Sequence, residues 1–271
     1  MIKAIILIFF SVFLLNYNLC AHVCNVHFIH VGYGDCILID PGSDASRILI
    51  DAGYPKAGKK VYQYLKKRNL LPVKRFIITH PDPDHYGGLR YLIKKIRFET
   101  IYWNGHNDED KKFQKLLKII DKKNISLNTI KKNDRISLTP ITELTCLHPA
   151  TLNGSKNNNS LVLYLTHSQT SFLFTADVGP EVQQRLAREF PDKLGACAVV
   201  KLPHHGDILD SEFETAIANT RYPVIMVAEN EYGLPSIQTV QFFGKRLLRS
   251  DYRIDIVIQS DGSSVHRLPP R

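Results

Sequence analysis

Cysteine is sparse in this chain, five in 271 residues, and no two stand in C-x-x-C spacing. A cysteine-ligated zinc site is therefore not expected. Internal repeats and low-complexity tracts are missing too, and with 44% hydrophobic residues the chain can bury a full core. No apolar run reaches the about twenty residues that a membrane-spanning helix needs. The longest, Ala4 to Leu15, follows the basic start Met1-Ile2-Lys3 and ends shortly before the small residue Ala21. That pattern predicts a secretory signal peptide over residues 1–21, cleaved after Ala21, with an uncleaved anchor as the alternative. The mature chain, residues 22–271, is then secreted or periplasmic and keeps no stable membrane span. Cys20 lacks the preceding small residues that lipidation prefers. Cys24, Cys36, Cys146 and Cys197 each lie in or beside an apolar run, and read as disulfide partners or as buried free thiols.

Acidic residues are outnumbered, 26 against 35 basic ones, for a formal net charge of +9. The excess gathers at Lys94, Lys95 and Arg97, then Lys111, Lys112, Lys115 and Lys118, then Lys122, Lys123, Lys131 and Lys132. Such a run is either a solvated helix face or an attractor of a polyanion, nucleic acid first, or of an anionic membrane surface.

Against these absences stands one dense stretch. Phe76-Ile77-Ile78-Thr79 reads as a buried strand that ends in His80-Pro81-Asp82-Pro83-Asp84-His85, followed by Gly87-Gly88 and a helix start. Two imidazoles and two carboxylates at a rigid strand end suit a divalent metal, whereas a lone His-Asp pair would read as a solvated turn. Further on, Asp177 closes the strand Phe172-Leu173-Phe174-Thr175, as a ligand or a helix cap, and His204-His205-Gly206 follows Ala198-Val199-Val200-Lys201-Leu202. His27 and His30 lie on an opening strand and read as structural; His106 stands alone in a loop.

The stretch from His80 to His85 resembles the signature loop of the metallo-β-lactamase-fold hydrolases, in the form found in ComEC/Rec2-type competence proteins, with Asp82 in place of the second His. Gly32-Tyr33-Gly34-Asp35 and Ile48-Leu49-Ile50-Asp51-Ala52-Gly53 are similar to that family's opening motifs. The resemblance implies an αββα sandwich of class α/β. It also implies that His80, Asp82, Asp84, His85, Asp177 and His205 hold one or two divalent ions, manganese or zinc. Asp84 and His204 would serve catalysis, His204 at the phosphate or leaving group, with the reversed assignment of His204 and His205 as the alternative. Asp51 would support the metal loop from behind, and Asn158 and Ser160 would face the site in place of a third His motif. Tyr33, Ala176, Asp207 and Leu234 depart from the Gln, Gly, Ser and His that the family places there. The expected function is an exported metal-dependent phosphodiesterase or nuclease acting on DNA. Its rivals are an esterase of small phosphodiesters, phosphocholine type included, and a catalytically inactive DNA-binding module of the same fold.

Overall fold

Two sheets carry the molecule, and each is antiparallel in one half and parallel in the other. The computed structural model describes residues 23–153 and 155–270; the expected signal peptide, residues 1–21, lies outside them. The first strands are β1 (Cys24–Phe28), β2 (Ile37–Asp40), β3 (Ile48–Ile50), β4 (Arg75–Ile78), β5 (Thr100–Trp103) and β6 (Ser126–Thr129). Next come β7 (Arg135–Thr139), β8 (Thr142–His148), β9 (Val162–His167), β10 (Thr170–Phe174) and β11 (Val199–Lys201). The chain finishes with β12 (Tyr222–Ile225), β13 (Leu248–Arg249), β14 (Ile256–Ser260) and β15 (Val265–Arg267). The sheet orders are β15-β14-β1-β2-β3-β4-β5-β6 and β13-β12-β11-β10-β9-β8-β7. Strands β3 to β6 are parallel, as are β10 to β13.

Parallel neighbours require crossovers, which the helices supply. They are α1 (Gly58–Lys67), α2 (Pro83–Tyr86), α3 (Leu89–Leu92) and α4 (Lys111–Lys122) on one sheet. On the other lie α5 (Pro180–Glu189), α6 (Pro191–Gly195), α7 (Ser211–Ala216) and α8 (Ile237–Phe243). The two-residue period of a strand sorts the side chains. Ile77, Phe172 and Phe174 fill the space between the sheets, while Phe76 packs under Val61, Leu65 and Phe113, and Leu173 and Val200 pack under Val182, Leu186 and Phe213. Three apolar layers between four layers of structure make the expected αββα sandwich.

Some sequence expectations shift. Residues 236–248 read from sequence as one helix, but α8 ends at Phe243, where Gly244 takes φ 53° and a short helical turn, Gly244–Arg246, leads on to β13. Ile136 and Leu138, which belong to no motif, alternate with polar residues as the buried positions of β7. Cys24, Cys36, Cys146 and Cys197 are buried free thiols. Among the described residues no helix is long and apolar enough to cross a membrane.

Open α/β sheets present ligands at the carboxyl ends of their parallel strands. Here Asp51 follows β3, His80 follows β4, Asp177 lies just beyond β10, and His204 and His205 lie just beyond β11. Both sheets therefore deliver their chemistry to one edge.

Candidate metal centre

Four side chains converge there. Asp177 Oδ2 lies 3.1 Å from His85 Nε2 and 3.2 Å from His205 Nε2, and Asp84 Oδ2 lies 3.1 Å from His205 Nε2. Donor atoms of Asp84, His85, Asp177 and His205 all fall within 4.8 Å of one another, and all four residues are buried.

The other ring nitrogens fix the tautomers. His205 Nδ1 donates to the Met226 carbonyl at 2.9 Å, and His85 Nδ1 donates to Asp51 Oδ2 at 2.8 Å. Asp51 also accepts from the Thr79 hydroxyl at 2.6 Å and the Thr79 amide at 3.0 Å. Because that hydroxyl spends its proton on Asp51, it accepts from His80 Nδ1 at 3.1 Å. All three imidazoles thus carry their proton on Nδ1 and turn Nε2 toward the carboxylates. His80 Nε2 is buried and has no partner. Lone pairs and carboxylate oxygens converging in a dry site repel unless a positive charge lies among them, so the donor set fits a divalent cation. Asp51 thus stands behind His85 and bonds both its ring and Thr79.

Backbone strain marks the same residues. Asp51, Ala176, His204 and His205 all adopt φ between 45° and 55°, a conformation that L-residues avoid. Each is held by its neighbours: the His204 amide donates to the Ala176 carbonyl at 3.0 Å, and the Asp51 amide donates to the Ile77 carbonyl at 3.0 Å. Gly34 is needed for a steric reason, since at φ +118° a Cβ there would press into the Asp84 carbonyl.

The model of the metallo-beta-lactamase superfamily matches residues 21–214. The chain belongs to that superfamily. Its fold and donor set are those of a metal-dependent hydrolase. Over 247 residues, 83% of the chain, it is 25% identical to ComE operon protein 3 of Bacillus subtilis, and it spans 32% of that protein's length. Among solved structures, a CmlA beta-hydroxylase variant shares the fold at 13% identity, with TM-score 0.52 over 90% of this chain and 54% of that one. Zinc-bound PqqB from Methylobacterium extorquens is 12% identical, with TM-score 0.48 over 80% of this chain and 84% of that one.

Within this superfamily site the remaining expected residues divide. His80 flanks the quartet, its Nε2 4.0 Å from Asp177 Oδ2 and 3.6 Å from Asp82 Oδ2. Asp82 turns outward to Lys156 Nζ at 2.7 Å. His204 stays partly exposed and pairs with Asp207 at 3.2 Å, on the wall of a cavity of about 250 Å³ that Tyr33, Tyr54, Tyr232 and Leu234 also line. Ser160 is buried beside the loop, with no partner for its hydroxyl; the Leu161 amide next to it donates to the Thr79 carbonyl at 3.0 Å.

Asn158 does not face the site. Its Oδ1 accepts from the Gly179 amide at 2.9 Å and its carbonyl accepts from His148 Nε2 at 2.7 Å, so it fastens the β8–β9 loop to the start of α5. His106 is not a site residue either; its ring bonds Asn159 at 2.9 Å. His27 is buried against the Tyr64 hydroxyl at 2.8 Å, the structural role expected for it.

One functional candidate escaped the sequence reading. Lys201, wholly buried on β11, sets its ammonium 2.5 Å from Asp35 Oδ2, 2.9 Å from the Ala176 carbonyl and 3.5 Å from Asp177 Oδ1. It neutralises the back of Asp177 while the imidazoles meet the front. A lysine inside Val199-Val200-Lys201-Leu202 was the available clue, since a buried ammonium requires a carboxylate partner.

Burial alone would push the His85 and His205 rings down, but Asp177 and its neighbours hold His85 well above its usual range and His205 up to about 9. Burial would raise Asp177 and Asp84, but His205 and His85 hold both below the usual carboxylate range. Protein stripped of metal by chelation should then behave as follows. The raised imidazoles stabilise the fold fully below about pH 6.5, and that stabilisation fades as pH rises through about 9. The depressed carboxylates contribute above about pH 4 and lose their effect below it. Thermal unfolding of chelated protein should show highest stability between about pH 4 and 6.5. Added divalent metal should stabilise more strongly as pH rises, since cation and protons compete for the same Nε2 atoms. A chelated protein whose midpoint climbs steadily from pH 6 to 9 would contradict this electrostatic account.

Proposed function

We infer that the protein is an exported, metal-dependent phosphodiesterase that cleaves nucleic acid. The observation that carries the hydrolytic part is the quartet of Asp84, His85, Asp177 and His205, of which Asp84, Asp177 and His205 line an open cavity. These residues would hold a divalent ion, which would supply Lewis acidity and lower the pKa of a water there. The chain's own residues then orient the reactants. His204, free of the quartet and paired to Asp207, is placed to give a proton to the departing oxygen. Tyr33 lies with its ring 4.3 Å from that of His205 and 5.5 Å from that of Tyr232, closing one wall.

Nucleic acid is supported by the likeness to a ComE operon protein and by this aromatic wall. Bases stack on such faces for about 1–3 kcal/mol each. The basic surface contributes only in part. Lys94, Lys95 and Arg97 precede the amino end of β5, and Lys122 and Lys123 precede that of β6, at the sheet end opposite the site. Lys111 and Lys112 open α4 at the site end, about 16 Å away along the helix axis. The sequence cluster is therefore two surfaces, and only one can touch a strand bound at the centre.

Affinity of the inert Asp84→Ala variant for DNA should fall about tenfold or more from low to physiological salt. Replacing Lys111, Lys112 and Lys115 by alanine should flatten that slope, and replacing Lys94, Lys95 and Arg97 should leave it unchanged. A second reading, hydrolysis of a small phosphodiester carrying a quaternary amine, is favoured by the tyrosines around the cavity and the nearby Asp207, which suit a cation. Assays with manganese and with zinc on DNA and on glycerophosphocholine separate the two. DNA neither bound nor cut, with the small ester hydrolysed, would overturn the nuclease reading. The intact quartet argues against an inactive binding module.

A further inference from the structure

We propose that Lys156 restricts this centre to one tightly held divalent cation, by occupying the carboxylate that a second cation would need. The inference rests on reading the quartet as a cation site and concerns the flank beside it. A second ion there would draw on His80, on Asp82 and on the shared Asp177. Of these, His80 offers a buried Nε2 that makes no hydrogen bond and stands 3.6 Å from Asp82 Oδ2 and 4.0 Å from Asp177 Oδ2. Asp82 is already engaged: Lys156 Nζ lies 2.7 Å from its Oδ1 and reaches Asp108 Oδ2 at 3.4 Å.

Lys156 is not a loosely placed surface lysine. It immediately precedes the helical turn Asn157–Asn159 in the β8–β9 loop. Asn104 Nδ2 donates to the Asn159 carbonyl at 2.8 Å, the Asn153 amide donates to Asn159 Oδ1 at 2.9 Å, and Asn158 is tied to Gly179. The turn that carries the ammonium is therefore bound to both sheets' loops. Beyond these three, and Asp108 that Lys156 also holds, the neighbouring polar side chains of the loop add no strong donor. Asn158 points away, and Ser160 brings only a neutral hydroxyl, a weak ligand beside imidazole and carboxylate. A dication on this side would share Asp82 with an ammonium, and like charges at that separation repel. Lys156 thus provides one fixed positive charge where a second metal ion would otherwise sit.

The test counts metal rather than turnover. The whole chain, stripped and reloaded with manganese or zinc, is passed through gel filtration, assayed for metal content, and titrated calorimetrically. The unsubstituted protein should retain about one equivalent, with any second binding at least about tenfold weaker. Lys156→Met keeps the side chain's length and removes its charge, and should tighten the second equivalent at least about tenfold. Lys156→Glu, which adds a carboxylate, should tighten it further and guards against a defect peculiar to the methionine variant. Two equivalents of similar affinity in the unsubstituted protein would overturn the proposal while leaving the quartet's role intact. So would a second affinity unchanged in both variants. No retained metal in the unsubstituted protein would instead overturn the reading of the quartet itself, and the proposal with it.

Discussion

Asp84→Ala should reduce hydrolysis at least about a thousandfold, because losing a charged donor from the centre forfeits several kcal/mol of the stabilisation that a bound ion supplies. Folding should survive. The Asp84 side chain borders the open cavity, so truncation admits water rather than leaving a void. It also relieves Asp84's repulsion with Asp177, one of the influences on its own ionisation. Metal content and turnover should both fall, while with both proteins stripped of metal the unfolding midpoint should shift by no more than about 1 kcal/mol in stability. Activity close to that of the unsubstituted enzyme would remove Asp84 from the centre.

Asp35→Ala should produce the largest loss of stability of any single change at this edge. Lys201 is wholly buried, and Asp35, itself 3% exposed at the side chain, is its nearest carboxylate. Removing one member of a buried pair leaves an ammonium without sufficient compensation and costs about 3–5 kcal/mol. For a domain of this size that corresponds to a midpoint lower by about 10 °C. Lys201→Met should be harmful alone, since Asp35 and Asp177 then face each other uncompensated. The double variant should be better than the two single losses added together, by about 1 kcal/mol or more, because each removal relieves the other. A midpoint for Asp35→Ala within about 2 °C of the unsubstituted protein would show that Asp177 and the Ala176 carbonyl suffice for Lys201.

The sequence by itself carried the αββα class, through motifs that resemble the metallo-β-lactamase fold, and it held the four residues of the quartet among six candidate ligands. Apolar runs such as Phe76-Ile77-Ile78 and Val199-Val200 are buried strands here, and the chemistry begins in the loops that leave their carboxyl ends. A residue at a strand end has its direction set by the strand, so His80, Asp84, His85, Asp177 and His205 were legible from the chain. Tertiary structure alone decided Asn158, Lys156, Asp35 and Lys201. A loop side chain such as that of Asn158 bonds whichever backbone amide comes within reach, here that of Gly179, and reach depends on how β8, β9 and α5 pack. The partnership of Asp35 with Lys201 joins residues more than 160 positions apart, on loops and strands of different sheets. The basic residues were visible, but not which sheet end would carry them, since that depends on the parallel course of β4, β5 and β6. Local patterning fixes elements and their termini; long-range packing fixes which termini meet and which charges share a buried space.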